Sequence, residues 1–133
     1  MRLITVDSSV FVSAARPSEP GFPESTEFLG WVRRARPRLF LPTIVLVETA
    51  AALSRTGSDE DVAQQYGLAV GQLPNTVLVT LDEGLARQAA AFGAQHKLRG
   101  ADAVCLATAS PFAAESVTRT GSSSRAEPRL FRR

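Results

Sequence analysis

Histidine and cysteine are almost absent from this chain of 133 residues, which holds one of each. A lone Cys105 allows no internal disulfide. Without any CxxC or HExxH pattern, the usual zinc frameworks and histidine-based triads have no residues to build on. Having no disulfide framework suits a reducing, cytoplasmic compartment. The start of the chain lacks a basic stretch followed by an apolar signal run. The longest strongly apolar segment, Leu39 to Leu53, is interrupted by Pro42 and Glu48 and is shorter than the roughly 20 apolar residues of a membrane span. A Gly-rich phosphate loop with its lysine is also missing. Carboxylates remain as the chemistry-bearing groups.

With 44% hydrophobic and 21% charged residues, the composition suits one compact domain with its own core and leaves little room for a second. The formal charge of +2 suggests at first an acidic partner such as nucleic acid. The charge is unevenly spread, however. Residues 1–118 carry 10 basic and 12 acidic side chains, whereas 119–133 carry 5 and 1. The body is slightly acidic, and all the excess positive charge lies in the tail.

Apolar runs and capping residues alternate along the body. Leu3-Ile4-Thr5-Val6 reads as a buried strand ending at Asp7, which with Ser8 can cap a helix through Ala15. Arg16 to Pro23 reads as a loop, and Glu24 to Ala35 as an amphipathic helix stopped by Pro37. A second strand is expected over Arg38 to Leu41, followed by a helix through Leu53 with Pro42 in its first turn. Ser58-Asp59-Glu60-Asp61 caps a helix fading near Leu73. Thr76 to Thr80 reads as a third strand. Asp82 caps a helix to about Gln95, and Gly100-Ala101-Asp102 opens another to Ala109. This order predicts an α/β fold with a parallel central sheet of about four to five strands, flanked by helices on both faces.

Three acids stand in apolar company. Asp7 lies where a strand gives way to a helix, at the edge where parallel sheets bind ligands, although a plain N-cap would look the same. Glu48 is surrounded by Ile44, Val45, Leu46, Val47, Ala50, Ala51, Ala52 and Leu53. A buried Glu needs a cation or a basic partner, unless Thr43, Thr49 and Ser54 form an exposed stripe around it. Asp102 sits near the start of a nearly all-apolar helix, where the helix dipole also favours an acid. If the three converge on one sheet edge, their mutual repulsion calls for a cation, and hard oxygen ligands select Mg²⁺ or Mn²⁺.

The segments Ile4-Thr5-Val6-Asp7-Ser8-Ser9, Leu46-Val47-Glu48-Thr49 and Leu98-Arg99-Gly100-Ala101-Asp102-Ala103-Val104 together resemble the PIN domain, in particular the VapC toxin ribonucleases of VapBC toxin–antitoxin modules. The resemblance covers about residues 1–118 and leaves 119–133 as a basic, irregular tail. It implies a Mg²⁺- or Mn²⁺-dependent endoribonuclease that hydrolyses RNA by a metal-activated water, with Asp7, Glu48 and Asp102 as metal-binding acids. It also implies a VapB-like antitoxin as partner and a homodimer. By the same analogy, Ser9 is a supporting position near the first acid and Thr118 another at the later strand, and Arg99 and Lys97 are candidate contacts to RNA phosphate. As plain structure, Ser9 is helix-start chemistry, and the two cations are solvated surface charges.

The sequence departs from the family pattern in one place. A fourth acid is expected at the end of a strand reading roughly Val-Thr-x-Asp, yet Val117-Thr118 is followed by Arg119-Thr120. Asp82, in Val79-Thr80-Leu81-Asp82, imitates that motif one strand too early and reads as a helix cap. Restoring a single nucleotide in one possible coding of Val117 to Ser124 yields Val-Thr-Ala-Asp-Arg-Glu-Gln-Leu, so the hypothesis of a frameshift would explain both the missing acid and the unpatterned tail. The alternative function is therefore a catalytically damaged PIN domain that binds an antitoxin or RNA. A third reading, another doubly wound α/β domain using its acids for Mg²⁺, lacks a supporting motif.

Overall fold

A computed structural model of the chain describes residues 3–112, 115–119 and 130–132. The strands are β1 (Leu3–Val6), β2 (Arg38–Pro42), β3 (Thr76–Val79), β4 (Glu115–Arg119) and β5 (Leu130–Arg132). The helices are α1 (Ser8–Ala14), α2 (Phe22–Ala35), α3 (Ile44–Arg55), α4 (Glu60–Val70), α5 (Glu83–His96) and α6 (Gly100–Ala109), the last followed by a 3₁₀ turn over Ser110–Phe112. The strands form one sheet in the order β3-β2-β1-β4-β5.

β1 occupies the centre because its residues have nowhere else to go. Ile4, Thr5 and Val6 are consecutive and all at most 1% exposed. Successive strand residues point to opposite faces, so helices must cover both. Val6 pairs with Val117 of β4 on one side and Ile4 with Leu39 of β2 on the other, both in parallel. β2 pairs in parallel with β3, which forms the edge. The main core gathers Ile4, Val6, Val10, Phe11, Leu29, Val32, Leu39, Leu41, Val45, Val70, Cys105 and Val117. A second cluster of Ala89, Ala103, Val104 and Ala107 joins α5 to α6. Each large aliphatic or aromatic side chain buried this way contributes about 1.5–3 kcal/mol. Among the described residues, no helix is long and apolar enough to cross a membrane.

Several expectations need correction. Pro42 does not enter the first turn of α3; it closes β2, and α3 begins at Ile44 with Thr43 at its N-cap. The proline in a first turn is instead Pro23 of α2, where the missing N–H costs nothing. The expected parallel central sheet is present in β3-β2-β1-β4, and β5 adds an antiparallel edge strand beside β4, with Thr118 opposite Phe131. That strand falls within the stretch expected to be an irregular tail, and Arg119 belongs to β4. A β-edge with open hydrogen-bonding groups can recruit even a three-residue segment without a hydrophobic period. Positions 120–129 lie outside the described residues.

Candidate active site

Asp7 follows the last residue of β1 and serves two structural purposes at once. Its extended backbone (φ −76°, ψ 154°) makes it the N-cap of α1, and its Oδ2 accepts the Ser9 N–H at 3.3 Å. Its own N–H donates to the Val117 carbonyl at 2.9 Å, which places the end of β4, and thus Thr118, beside it. The Asp7 residue is nonetheless only 6% exposed. The cap reading and the site reading of Asp7 therefore describe the same geometry.

Glu48 lies one turn into α3, half-buried, with Oε1 enclosed and without a hydrogen-bond partner. The alternative of an exposed polar stripe does not hold, since Thr49 is fully buried. Burial raises the Glu48 carboxyl above its ordinary value, and the negative charges of Asp7 and then Asp102 raise it further, against a weaker opposing pull from Arg55. Asp102 stands in the first turn of α6, whose N-cap, Arg99, supplies no side-chain cap. β1, α3 and α6 thus bring the three predicted acids within electrostatic reach of one another. Among the described residues, no three His, Cys, Asp or Glu side chains are grouped so as to hold a metal ion by themselves.

Cys105 is a participant that sequence reasoning missed. It is 2% exposed, and its Sγ lies 3.8 Å from Asp7 Oδ1, with the thiol as donor. Burial pushes this thiol well above its ordinary value, and Asp7, Asp102 and Glu48 add to the effect, so it stays a neutral S–H. The available signal was its position three residues after Asp102, on the same helix face. Lys97 and Arg99 are exposed on the turn leading into α6. Asp82 is a helix cap, as expected, with Oδ1 accepting the Leu85 N–H at 2.8 Å. Chemically, the arrangement is a set of carboxylates in low dielectric whose charges oppose one another, together with one orphaned carboxylate oxygen. Those are properties that a hard divalent cation compensates.

Comparison with known proteins agrees with this architecture. No curated protein matches the chain. Among solved structures, Mycobacterium tuberculosis VapC20, described as a sarcin–ricin loop-cleaving toxin, superposes with a TM-score of 0.74 at 18% identity, covering 98% of this chain and 99% of that one. A toxin–antitoxin complex from Klebsiella pneumoniae gives 0.61 at 20% identity, covering 92% and 88%. VapBC2 from Rickettsia felis, bound to a DNA fragment from its promoter, gives 0.58 at 11% identity over 86% and 84%. These likenesses concern the fold. The family model for the PIN domain matches residues 4–119, and the chain belongs to the PIN domain family.

Proposed function

We propose that this chain is a divalent-metal-dependent endoribonuclease of the toxin type, acting on RNA phosphodiesters and held in check by a VapB-like antitoxin. The observation that carries the reading is the enclosed, unpartnered Glu48 Oε1, whose carboxyl is pushed up by burial first and by Asp7 and Asp102 next. A buried acid next to two others is tolerable when a cation neutralises them, and Mg²⁺ or Mn²⁺ usually takes only one or two protein carboxylates and keeps its waters. A closed three-ligand cage is therefore not required. Asp7, Glu48 and Asp102 are the residues that would hold the ion. When bound, such an ion supplies a nucleophilic water at neutral pH and offsets charge on a phosphoryl oxygen.

The chain's own groups do the remaining work. The Ser9 N–H and the Cys105 thiol each hold one oxygen of Asp7, fixing the carboxylate's orientation. On this reading Ser9 and Thr118 would orient water or substrate, and the exposed Lys97 and Arg99 would meet backbone phosphates flanking the scissile bond. Exposed Val47, Val62, Leu68 and Leu78 leave apolar surface for the antitoxin or for a second copy of the chain. The proposed setting is the cytoplasm.

The test is RNA cleavage with and without Mn²⁺. Asp7→Asn keeps a good N-cap residue, so its fold should melt normally while cleavage falls at least about 100-fold. Cleavage that persists in that variant, or without metal, overturns the reading. A second reading is favoured by Arg119, which closes β4 where the family pattern leads towards an acid. On that reading the chain is a catalytically weakened PIN domain that still binds antitoxin or RNA. Co-purification with an antitoxin but no metal-dependent cleavage distinguishes it.

A further inference from the structure

Four of the ten basic residues in 1–118 fall within six positions, Arg33, Arg34, Arg36 and Arg38, at the edge of the sheet opposite the carboxylates. Arg38 opens β2 and pairs with Leu3 at the start of β1, whereas Asp7 follows that strand's end. A rise of about 3.3 Å per residue separates the two edges by about 13 Å along β1. Arg33, Arg34 and Arg36 are exposed, and none of the four makes an ion pair with a described residue. Arg38 is half-buried, and its Nε–H has no acceptor.

Arginines at the end of α2 complement the helix dipole, which accounts for Arg33 and Arg34. It does not account for Arg38, which opens β2. Arg36 adopts the left-handed region (φ 50°, ψ 52°), a C-cap conformation that glycine enters far more easily. This turn is also clamped. Asn75 Nδ2 donates to the Arg36 carbonyl at 3.0 Å, and the Asn75 carbonyl accepts the Leu39 N–H at 3.0 Å. An arginine is thus held rigidly at a position where the backbone favours glycine. Its neighbours in sequence are Ala35 and a buried Pro37, so the patch has no large exposed apolar anchor of the kind a protein interface needs. Guanidinium groups with no ion pair to a described residue, carried on a backbone held in place and without such an anchor, suit a phosphate backbone.

We propose that Arg34, Arg36 and Arg38 form a second RNA-backbone contact surface, remote from the carboxylates, which grips a folded RNA whose scissile phosphate lies at the opposite edge. This rests on the ribonuclease reading and adds a substrate preference to it. RNA long enough to reach both edges is held more tightly than a short fragment.

The test is fluorescence anisotropy in EDTA, to prevent cleavage, using the full chain and a labelled RNA stem-loop of about 20 nucleotides. Arg34→Ala combined with Arg36→Ala should weaken binding about tenfold and flatten the slope of log K against log salt by about 1.5. Arg36→Gly separates binding from folding. It should melt at or above the wild-type temperature while binding RNA about threefold more weakly, or worse. Arg87→Ala removes a cation already paired with Glu83 and should bind as wild type. Wild-type affinity in the Arg34/Arg36 variants, equal weakening by Arg87→Ala, or equally strong competition by poly-glutamate overturns the proposal. If the wild-type chain cleaves RNA with metal but the arginine variants bind normally, only this inference fails. If it neither binds nor cleaves RNA, the ribonuclease reading fails with it.

Discussion

At the scale of single residues, Glu48 is the most informative side chain. Its folded carboxyl holds a proton more tightly than an unfolded one, because of burial first and Asp7 and Asp102 next. Without metal, this costs nothing at pH below the ordinary glutamate range. The cost then grows as pH rises through the raised value, where the folded protein must give up a proton it prefers to keep. Metal-free stability should therefore decline across that window, and Glu48→Gln should remove the decline. Because the side chain is only half-buried, the gain at neutral pH is limited to about 1 kcal/mol. Thermal melts of both proteins from acid to neutral pH check this. The same variant should lose the stabilisation that Mn²⁺ confers on the wild type, since binding to the folded state alone raises its stability. A variant that is no more stable than wild type at neutral pH, yet still responds to Mn²⁺, would place the cation elsewhere.

At the scale of elements, the pairing of α3 with α4 and the start of α5 each turn on one residue. A Cβ at Gly67 of α4 would lie 2.8 Å from the Leu46 carbonyl oxygen and 2.9 Å from Ala50 Cβ on α3. Glycine in a helix ordinarily costs up to about 1 kcal/mol relative to alanine, so Gly67→Ala ought to help. Here the contact is with backbone, which cannot rotate away. The substitution should instead destabilise by about 1–3 kcal/mol, measured by urea unfolding. The shift also loosens the seat of Glu48 on α3, so Mn²⁺ affinity should weaken alongside stability. Asp82 supplies the contrasting case. Its carboxylate caps α5, and Asp82→Ala should cost about 1 kcal/mol while leaving metal-dependent cleavage unchanged. Loss of cleavage beyond what the lowered stability explains would give this acid a chemical role after all.

At the scale of the whole molecule, the parallel pairing of β1 with β4 decides where a further acid would act. Val117 lies beside Val6, and the Asp7 N–H binds the Val117 carbonyl, so the C-terminal end of β4 lies next to the carboxylate edge. Thr120 is where the family pattern has its fourth acid, and it lies outside the described residues. Thr120→Asp should raise Mg²⁺-dependent cleavage about tenfold by restoring that ligand. Unchanged activity in a variant that folds normally would count against a fourth carboxylate limiting this chain.

Much of this was legible in the order of residues, because strand and helix periods and caps are local properties. Apolar β-branched runs announced β1 and β3; the cap at Asp82 marked one helix start to the residue, and Asp7-Ser8 and the cluster Ser58 to Asp61 bracketed two more. An acid in an all-apolar run drew attention to Glu48 for the same reason, since a lone carboxylate conflicts with its neighbours wherever they fold. The hydroxyls of Thr43, Thr49 and Ser54 were less reliable guides, because polarity in sequence does not say which face meets solvent. Folding buried Thr49 completely. Pro42 was misplaced by one element because proline suits both a strand end and a first helical turn, and only the pairing of Pro42 with Val79 on β3 chooses between them. The sequence by itself therefore determined the element order from β1 to α6, the capping residues and the three suspect acids. Tertiary structure alone decided that the Cys105 thiol reaches Asp7, that Glu48 feels Asp7 and Asp102 across three elements, and that a segment of the basic tail joins the sheet. Those facts depend on side chains 41 to 98 positions apart, or on edge hydrogen bonds that any short strand can accept, and no local pattern encodes them.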